Sequence, residues 1–186
     1  MIYEKPGRIS SAPVIIESGV QVTWSDDSRI LTVKGGNNSF EIEIIDSVTV
    51  ELKDSEILFH ANQGFDGSKA LAGTYRSIAD NAVKGIKNPW ERKLIFEGVG
   101  YKVMPGSGKN SVALNVGYSN PVQYSIDPKV SFEITDNNRT LVLKCFDKQV
   151  LGQVAAEIRS KRPPNRYSGK GIRYFNEVVD QKEVSK

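Results

Sequence analysis

The stretch Val130-Ser131-Phe132-Glu133-Ile134, with Asp136 just beyond it, repeats an earlier one: Val48-Thr49-Val50-Glu51-Leu52, with Asp54 just beyond. Each alternates apolar and polar residues, the period of a half-buried strand, and each runs into a turn carrying an aspartate. Working outward, Ile57 and Phe59 match Leu141 and Leu143. Upstream, Leu31-Thr32-Val33 matches Leu114-Asn115-Val116. Downstream, Leu71 and Ile78 match Leu151 and Ile158, each pair two helical turns apart. The order of elements coincides throughout, with a period of about 80 residues, too long for a solenoid repeat. The pattern predicts a duplicated α+β fold: two tandem domains, each a mainly antiparallel sheet with a helix packed on one face. The boundary falls near Gly85 to Glu91, giving a first domain over 1–86 and a second over 87–186.

Other elements follow from the same reasoning. Val20 to Trp24 alternates, with Val20, Val22 and Trp24 on one face. Ile30 to Val33 and Phe40 to Ile45 read as strands bounded by turn residues, and so do Leu94 to Glu97, Val112 to Val116, Val122 to Ile126 and Leu141 to Cys145. Ala70, Leu71, Thr74, Ile78, Ala82 and Ile86 form one apolar stripe, which predicts a helix of about fifteen residues. Ser68 is its expected N-cap, and Gly85 and Pro89 its stop. Asp147 is the expected cap of a second helix through Val150, Leu151, Val154, Ala155 and Ile158.

Charge divides along the same line. The net charge is only +3, yet residues 1–86 hold 8 basic and 12 acidic side chains, and residues 87–186 hold 17 and 10. The second half is therefore the expected anion-binding end. A single cysteine, Cys145, leaves no intrachain disulfide and fits a reducing compartment. The N-terminus lacks the apolar run of a signal peptide, and no stretch approaches the ~20 apolar residues of a spanning helix. The expectation is a soluble, intracellular protein.

Catalytic groups are scarce. His60 is the only histidine and reads as a strand-end residue. With Cys145 it makes two zinc ligands where a structural site wants four. Cys145 itself reads as a small apolar residue at a strand end. Asp26-Asp27 sits in a turn, and Glu41 with Glu43 reads as a solvated strand face. Gly98-Val99-Gly100 follows a strand but no helix follows it, so it is not a dinucleotide fingerprint. Gly169-Lys170-Gly171 lacks the remaining positions of a P-loop. No enzyme, metal or cofactor is expected.

Function concentrates in Arg159 to Arg173, which carries six basic residues and no acidic one. Arg159, Lys161 and Arg162 close the second helix and complement its dipole. Pro163-Pro164 stop the helix, and an extended strand carrying Arg166, Lys170 and Arg173 is expected beyond them. With little apolar area of its own, that run is expected to need a partner to order it. Gly169 and Gly171 allow close approach to phosphates, and Tyr167 and Tyr174 offer stacking surfaces. RNA is favoured over DNA because no helix carries a groove-reading set of side chains. A membrane is disfavoured because the segment has no amphipathic face. Neutralising six phosphates would give a log–log salt slope of about −4 to −5.

Longer motifs carry a resemblance. Asp147-Lys148-Gln149, Gly152-Gln153, Ala155-Ala156-Glu157-Ile158-Arg159, Arg162-Pro163-Pro164 and Tyr167-Ser168-Gly169-Lys170-Gly171-Ile172-Arg173-Tyr174 resemble the C-terminal signature of the sixth protein of the large ribosomal subunit, in its bacterial form. Gly98-Val99-Gly100-Tyr101-Lys102, Leu114-Asn115-Val116-Gly117-Tyr118-Ser119-Asn120-Pro121-Val122 and the first-helix residues Leu71, Gly73-Thr74 and Arg76-Ser77 are similar to earlier motifs of that family. The chain departs from the pattern at Asn165-Arg166, Asn120, Lys144-Cys145-Phe146 and across Met1 to Ala12.

The resemblance implies two tandem α+β domains and no enzymatic activity. It implies that the second domain binds large-subunit ribosomal RNA near the elongation-factor site, toward which the first domain projects. Neighbouring large-subunit ribosomal proteins and elongation factors are the other implied partners. The implied location is the large subunit of a cytoplasmic or organellar ribosome. Carried over residue by residue, the RNA contacts are Arg159, Lys161, Arg162, Tyr167, Lys170, Gly171, Arg173 and Tyr174, with Lys102 and Tyr118 as further members. Arg166, where the chain departs from the family, joins them from the charge of the segment alone. A free-standing RNA-binding or regulatory module is the alternative reading of the same residues.

Overall fold

The computed structural model describes residues 7, 11–36 and 38–182, so most of the atypical N-terminus lies outside the described residues. The chain divides into two compact units, Met1–Pro89 and Trp90–Lys186.

The first unit contains β1 (Val14–Ile15), β2 (Gln21–Ser25), β3 (Ile30–Gly35), β4 (Asn38–Glu43), β5 (Val48–Lys53), β6 (Glu56–Ala61) and α1 (Ser68–Lys87). Its strands form two antiparallel sheets of three, ordered β2-β3-β4 and β1-β6-β5. Alternation sorts the side chains: Leu31, Val33, Ile57 and Phe59 are buried, while Glu41, Glu43 and Glu51 stay exposed. α1 closes this core with Ala72, Ala79, Val83 and Ile86. It runs 20 residues because the apolar stripe continues through its last turn.

The second unit contains β7 (Trp90–Glu97), β8 (Lys102–Pro105), β9 (Ser111–Asn115), β10 (Val122–Ser125), β11 (Ser131–Thr135), β12 (Thr140–Cys145), α2 (Lys148–Lys161) and β13 (Gly171–Tyr174). Its sheets are β10-β9-β8 and β11-β12-β7-β13, again antiparallel. The elements correspond one to one with the first unit, from β1 with β7 to α1 with α2. Only β13 has no counterpart among the described residues of the first unit. The core gathers Leu94, Phe96, Leu114, Leu141, Leu143, Leu151, Ile158 and Ile172, each at most 1% exposed.

The two helices begin differently. Asp147 caps α2 as expected: its Oδ1 accepts from the N–H of Gln149 at 2.8 Å and of Val150 at 3.3 Å. Ser68 does not cap α1. The cap is Gly67, held left-handed at φ 75, and Ser68 is already helical. The Ser68 hydroxyl is buried and has no hydrogen-bond partner. A serine one residue inside the helix turns its side chain away from the orphan N–H groups, so proximity in sequence does not make it a cap.

Candidate nucleic-acid interface

The basic segment is folded, and in this it departs from the expected extended strand. α2 ends at Lys161, and Arg162 donates its N–H to the Arg159 carbonyl at 3.3 Å. Beyond Pro163-Pro164 the chain curls into a closed loop. Asn165 N–H donates to the Lys170 carbonyl at 2.8 Å, and Gly169 N–H returns to the Asn165 carbonyl at 2.9 Å. The Asn165 side chain accepts from the N–H groups of Tyr167 and Ser168 at 2.7 and 3.3 Å. An Asx turn therefore replaces the extended form that two prolines suggest.

The loop delivers β13 to the edge of β7, pairing Gly171 with Glu97, Ile172 with Phe96, Arg173 with Ile95 and Tyr174 with Leu94. Ile172 is fully buried, and its N–H donates to the Arg162 carbonyl at 2.8 Å. One buried apolar side chain and a four-residue ladder thus tie the segment to the second unit's own sheet. Gly171 is where only glycine fits: its φ is +146, and a Cβ would lie 2.6 Å from Pro164 Cα and 2.7 Å from the Pro163 carbonyl oxygen.

The six cations separate into two groups. Arg159 and Arg173 turn inward to carboxylates. Arg159 donates to Glu177 through Nη2 at 2.5 Å and Nε at 3.0 Å. Arg173 donates to Glu97 at 2.5 Å. These bidentate and charge-assisted contacts raise both guanidinium pKa values, and Arg159 in turn holds the Glu177 carboxyl below its ordinary range. Tyr174 lies under Arg159, its ring 5.6 Å from the guanidinium carbon, and is half-buried.

Lys161, Arg162, Arg166 and Lys170 are exposed. Arg162 sits over the Tyr118 ring at 5.2 Å, and the hydroxyls of Tyr101 and Tyr118 raise its pKa. Tyr118 is 46% exposed and donates its hydroxyl to the Lys161 carbonyl at 3.0 Å, which ties the β9–β10 turn to the end of α2. Lys161 lies 5.8 Å from the Tyr124 ring. Tyr167 is 63% exposed at the crown of the loop. Lys102 is exposed on β8, in the other sheet of the unit.

Sequence reasoning missed Glu97, Glu177, Tyr101 and Tyr124, which anchor this surface. Tyr101 lies within the Gly98–Lys102 motif, but its place beside Arg162 is a tertiary fact that no local spacing encodes. Elsewhere the groups considered for catalysis hold ordinary positions. His60 Nε2 lies 3.0 Å from Glu51 Oε2, and Asp26 accepts from the Trp24 indole at 2.6 Å. Cys145 is buried, and burial pushes its thiol pKa up. Among the described residues no three His, Cys, Asp or Glu side chains cluster as metal ligands.

Residues 16–88 and 97–175 match the family described as Ribosomal protein L6, one segment in each unit. The chain belongs to the ribosomal protein L6 family. Its relatives include the large ribosomal subunit protein uL6 of Saccharophagus degradans, 43% identical, that of Marinobacter nauticus, 41% identical, and that of Teredinibacter turnerae, 38% identical. Each alignment spans 179 residues, 96% of this chain and 98% of the relative. The match is to bacterial L6 proteins along nearly the whole length, and the family is structural and without enzymatic activity. The second matched segment ends at residue 175, so the L6 pattern takes in the closed loop and β13 as well as the duplicated core.

Proposed function

We propose that this L6 protein is a structural constituent of the large ribosomal subunit in the cytoplasm and binds large-subunit rRNA through its second unit. The observation that carries the reading is the sorting of charge around the α2–β13 connection. Four cations, Lys161, Arg162, Arg166 and Lys170, face solvent beside the exposed rings of Tyr118 and Tyr167. Arg159, Gly171, Arg173 and Tyr174 hold that surface in place. Lys102 extends the contact on β8. Cations fix a protein on the sugar-phosphate backbone, and exposed aromatic rings stack on unpaired bases. Four phosphate contacts give a log–log salt slope of about −3 to −4, shallower than six would.

The first unit is acidic and, among its described residues, has no such surface. It projects toward the elongation-factor site and supports that region during translation, with neighbouring ribosomal proteins as its other partners. Co-sedimentation is the test. The protein is expected to travel with the large subunit at physiological salt. Absence from it, with RNA affinity retained, would favour a free-standing RNA-binding module.

A further inference from the structure

We propose that Glu177 is the positioning residue of this RNA-binding surface, holding the loop through Arg159 and the chain that follows β13. The inference rests on the rRNA reading above.

Glu177 joins three pieces of the second unit. Its carboxylate takes two hydrogen bonds from Arg159, on the last turn of α2. Its Oε2 also accepts the Tyr174 N–H, at the end of β13, at 3.0 Å. Its backbone N–H donates to the Tyr174 carbonyl at 3.1 Å, and its own carbonyl accepts from Arg173 Nη1 at 3.4 Å. The helix end and the strand end, the two supports of the loop, are therefore tied to one side chain.

From Glu177 the chain returns over the loop itself. Lys182 N–H donates to the Arg166 carbonyl at 2.9 Å. Gln181 lies so close over Gly169 that a Cβ there would meet its amide nitrogen at 2.5 Å. Arg166 thus has its backbone held from one side by the returning chain while its side chain faces solvent. A long cation on an unsupported loop would lose rotamer and backbone freedom on binding, whereas a clamped one has lost much of it already. Glu177 also occupies Arg159 with a carboxylate, in the geometry a phosphate would otherwise take.

A negative charge beside a basic surface makes the test directional. If Glu177 acted only through its charge, its removal would strengthen RNA binding. Positioning requires the reverse. The full chain is titrated with protein-free large-subunit rRNA at several salt concentrations. Glu177→Ala is expected to weaken binding by about tenfold, the low end of what removing a residue that orients a ligating side chain costs a metal site. Arg159→Glu combined with Glu177→Arg rebuilds the ion pair in reverse, without the Tyr174 N–H bond, and is expected to bind more tightly than either Arg159→Glu or Glu177→Arg alone.

Unchanged or stronger binding by Glu177→Ala overturns the proposal. So does a reversed pair as weak as the single variants, which also settles the matter if Glu177→Ala merely unfolds the unit. Arg166→Ala with Lys170→Ala is the control for the underlying reading. If that double variant binds as well as the parent protein, the RNA surface itself is misassigned. If it binds weakly while Glu177→Ala does not, only the positioning role fails.

Discussion

The two units share strands, sheets and a packed helix, and they part where the helix ends. α1 leads into Asn88-Pro89 and the next unit. α2 leads into Arg162-Pro163-Pro164, the closed loop and β13, which adds a fourth strand to one of its sheets. The duplicated elements supply a stable body in each case. The loop and β13, which have no counterpart among the described residues of the first unit, add exposed Arg166, Lys170 and Tyr167 to the second. On the proposed rRNA reading, this is function grafted onto a fold.

The two units can be set apart most strongly in their cores. Ile158→Ala is expected to cost about 2–5 kcal/mol, because it empties a fully buried site. Each unit has one tryptophan packed against its own core, Trp24 in the first and Trp90 in the second. In a denaturant titration the Trp90 signal, isolated with Trp24→Phe, is expected to shift to lower midpoint. The Trp24 signal, isolated with Trp90→Phe, is expected to stay. A joint shift would mean that the units do not fold separately.

Next in size is Gly171→Ala, expected to cost about 1–3 kcal/mol through its positive φ and the close approach of Pro163-Pro164. Amide exchange should show Ile172 losing protection first, with the β9 and β12 amides unchanged. Protection retained at Ile172 would mean that β13 docks without that glycine.

The helix starts sharpen the contrast at smaller scale. Asp147→Ala is expected to cost about 0.5–2 kcal/mol by removing two cap hydrogen bonds. Ser68→Ala is expected to lie within about 0.5 kcal/mol of neutral or to stabilise, since its hydroxyl is buried and unpartnered. Equal destabilisation at the two positions in chemical denaturation would return Ser68 to the capping role.

These contrasts show how much of the molecule was legible in its sequence. Periodicity located the strands through Leu31, Val50, Leu114 and Leu143, because alternation is a local record of burial. It located Asp147 because a cap lies within three residues of what it caps. It misjudged Ser68, where the decisive feature is the left-handed Gly67. It read the basic run as an extended arm because Ile172 is a single apolar residue among charges, too little to register as a period. Its partner strand, β7, lies far upstream, with Glu97 and Arg173 separated by 76 positions. The candidate RNA-binding residues were recognisable by type, but their division into exposed and inward-facing sets depends on Glu97 and Glu177, which no local pattern marks.

A pH dependence is the smallest expected effect and belongs to the second unit. Arg159 holds the folded Glu177 carboxyl below its ordinary range, so its contribution is complete above the unfolded value of about 4.3. It fades as pH falls through the lower folded value. Exchange at the Tyr174 and Lys182 amides should therefore accelerate on acidification below about pH 4, beyond the intrinsic change, and Glu177→Gln should abolish that response.

The most direct test is the salt dependence of rRNA binding by the parent chain and by Arg166→Ala with Lys170→Ala. A log–log slope shallower by about 1.4 to 1.8 is predicted for the double variant, because two phosphates are then no longer neutralised. An unchanged slope would contradict the division of roles between the two units, because the loop that distinguishes them would then not touch the RNA backbone.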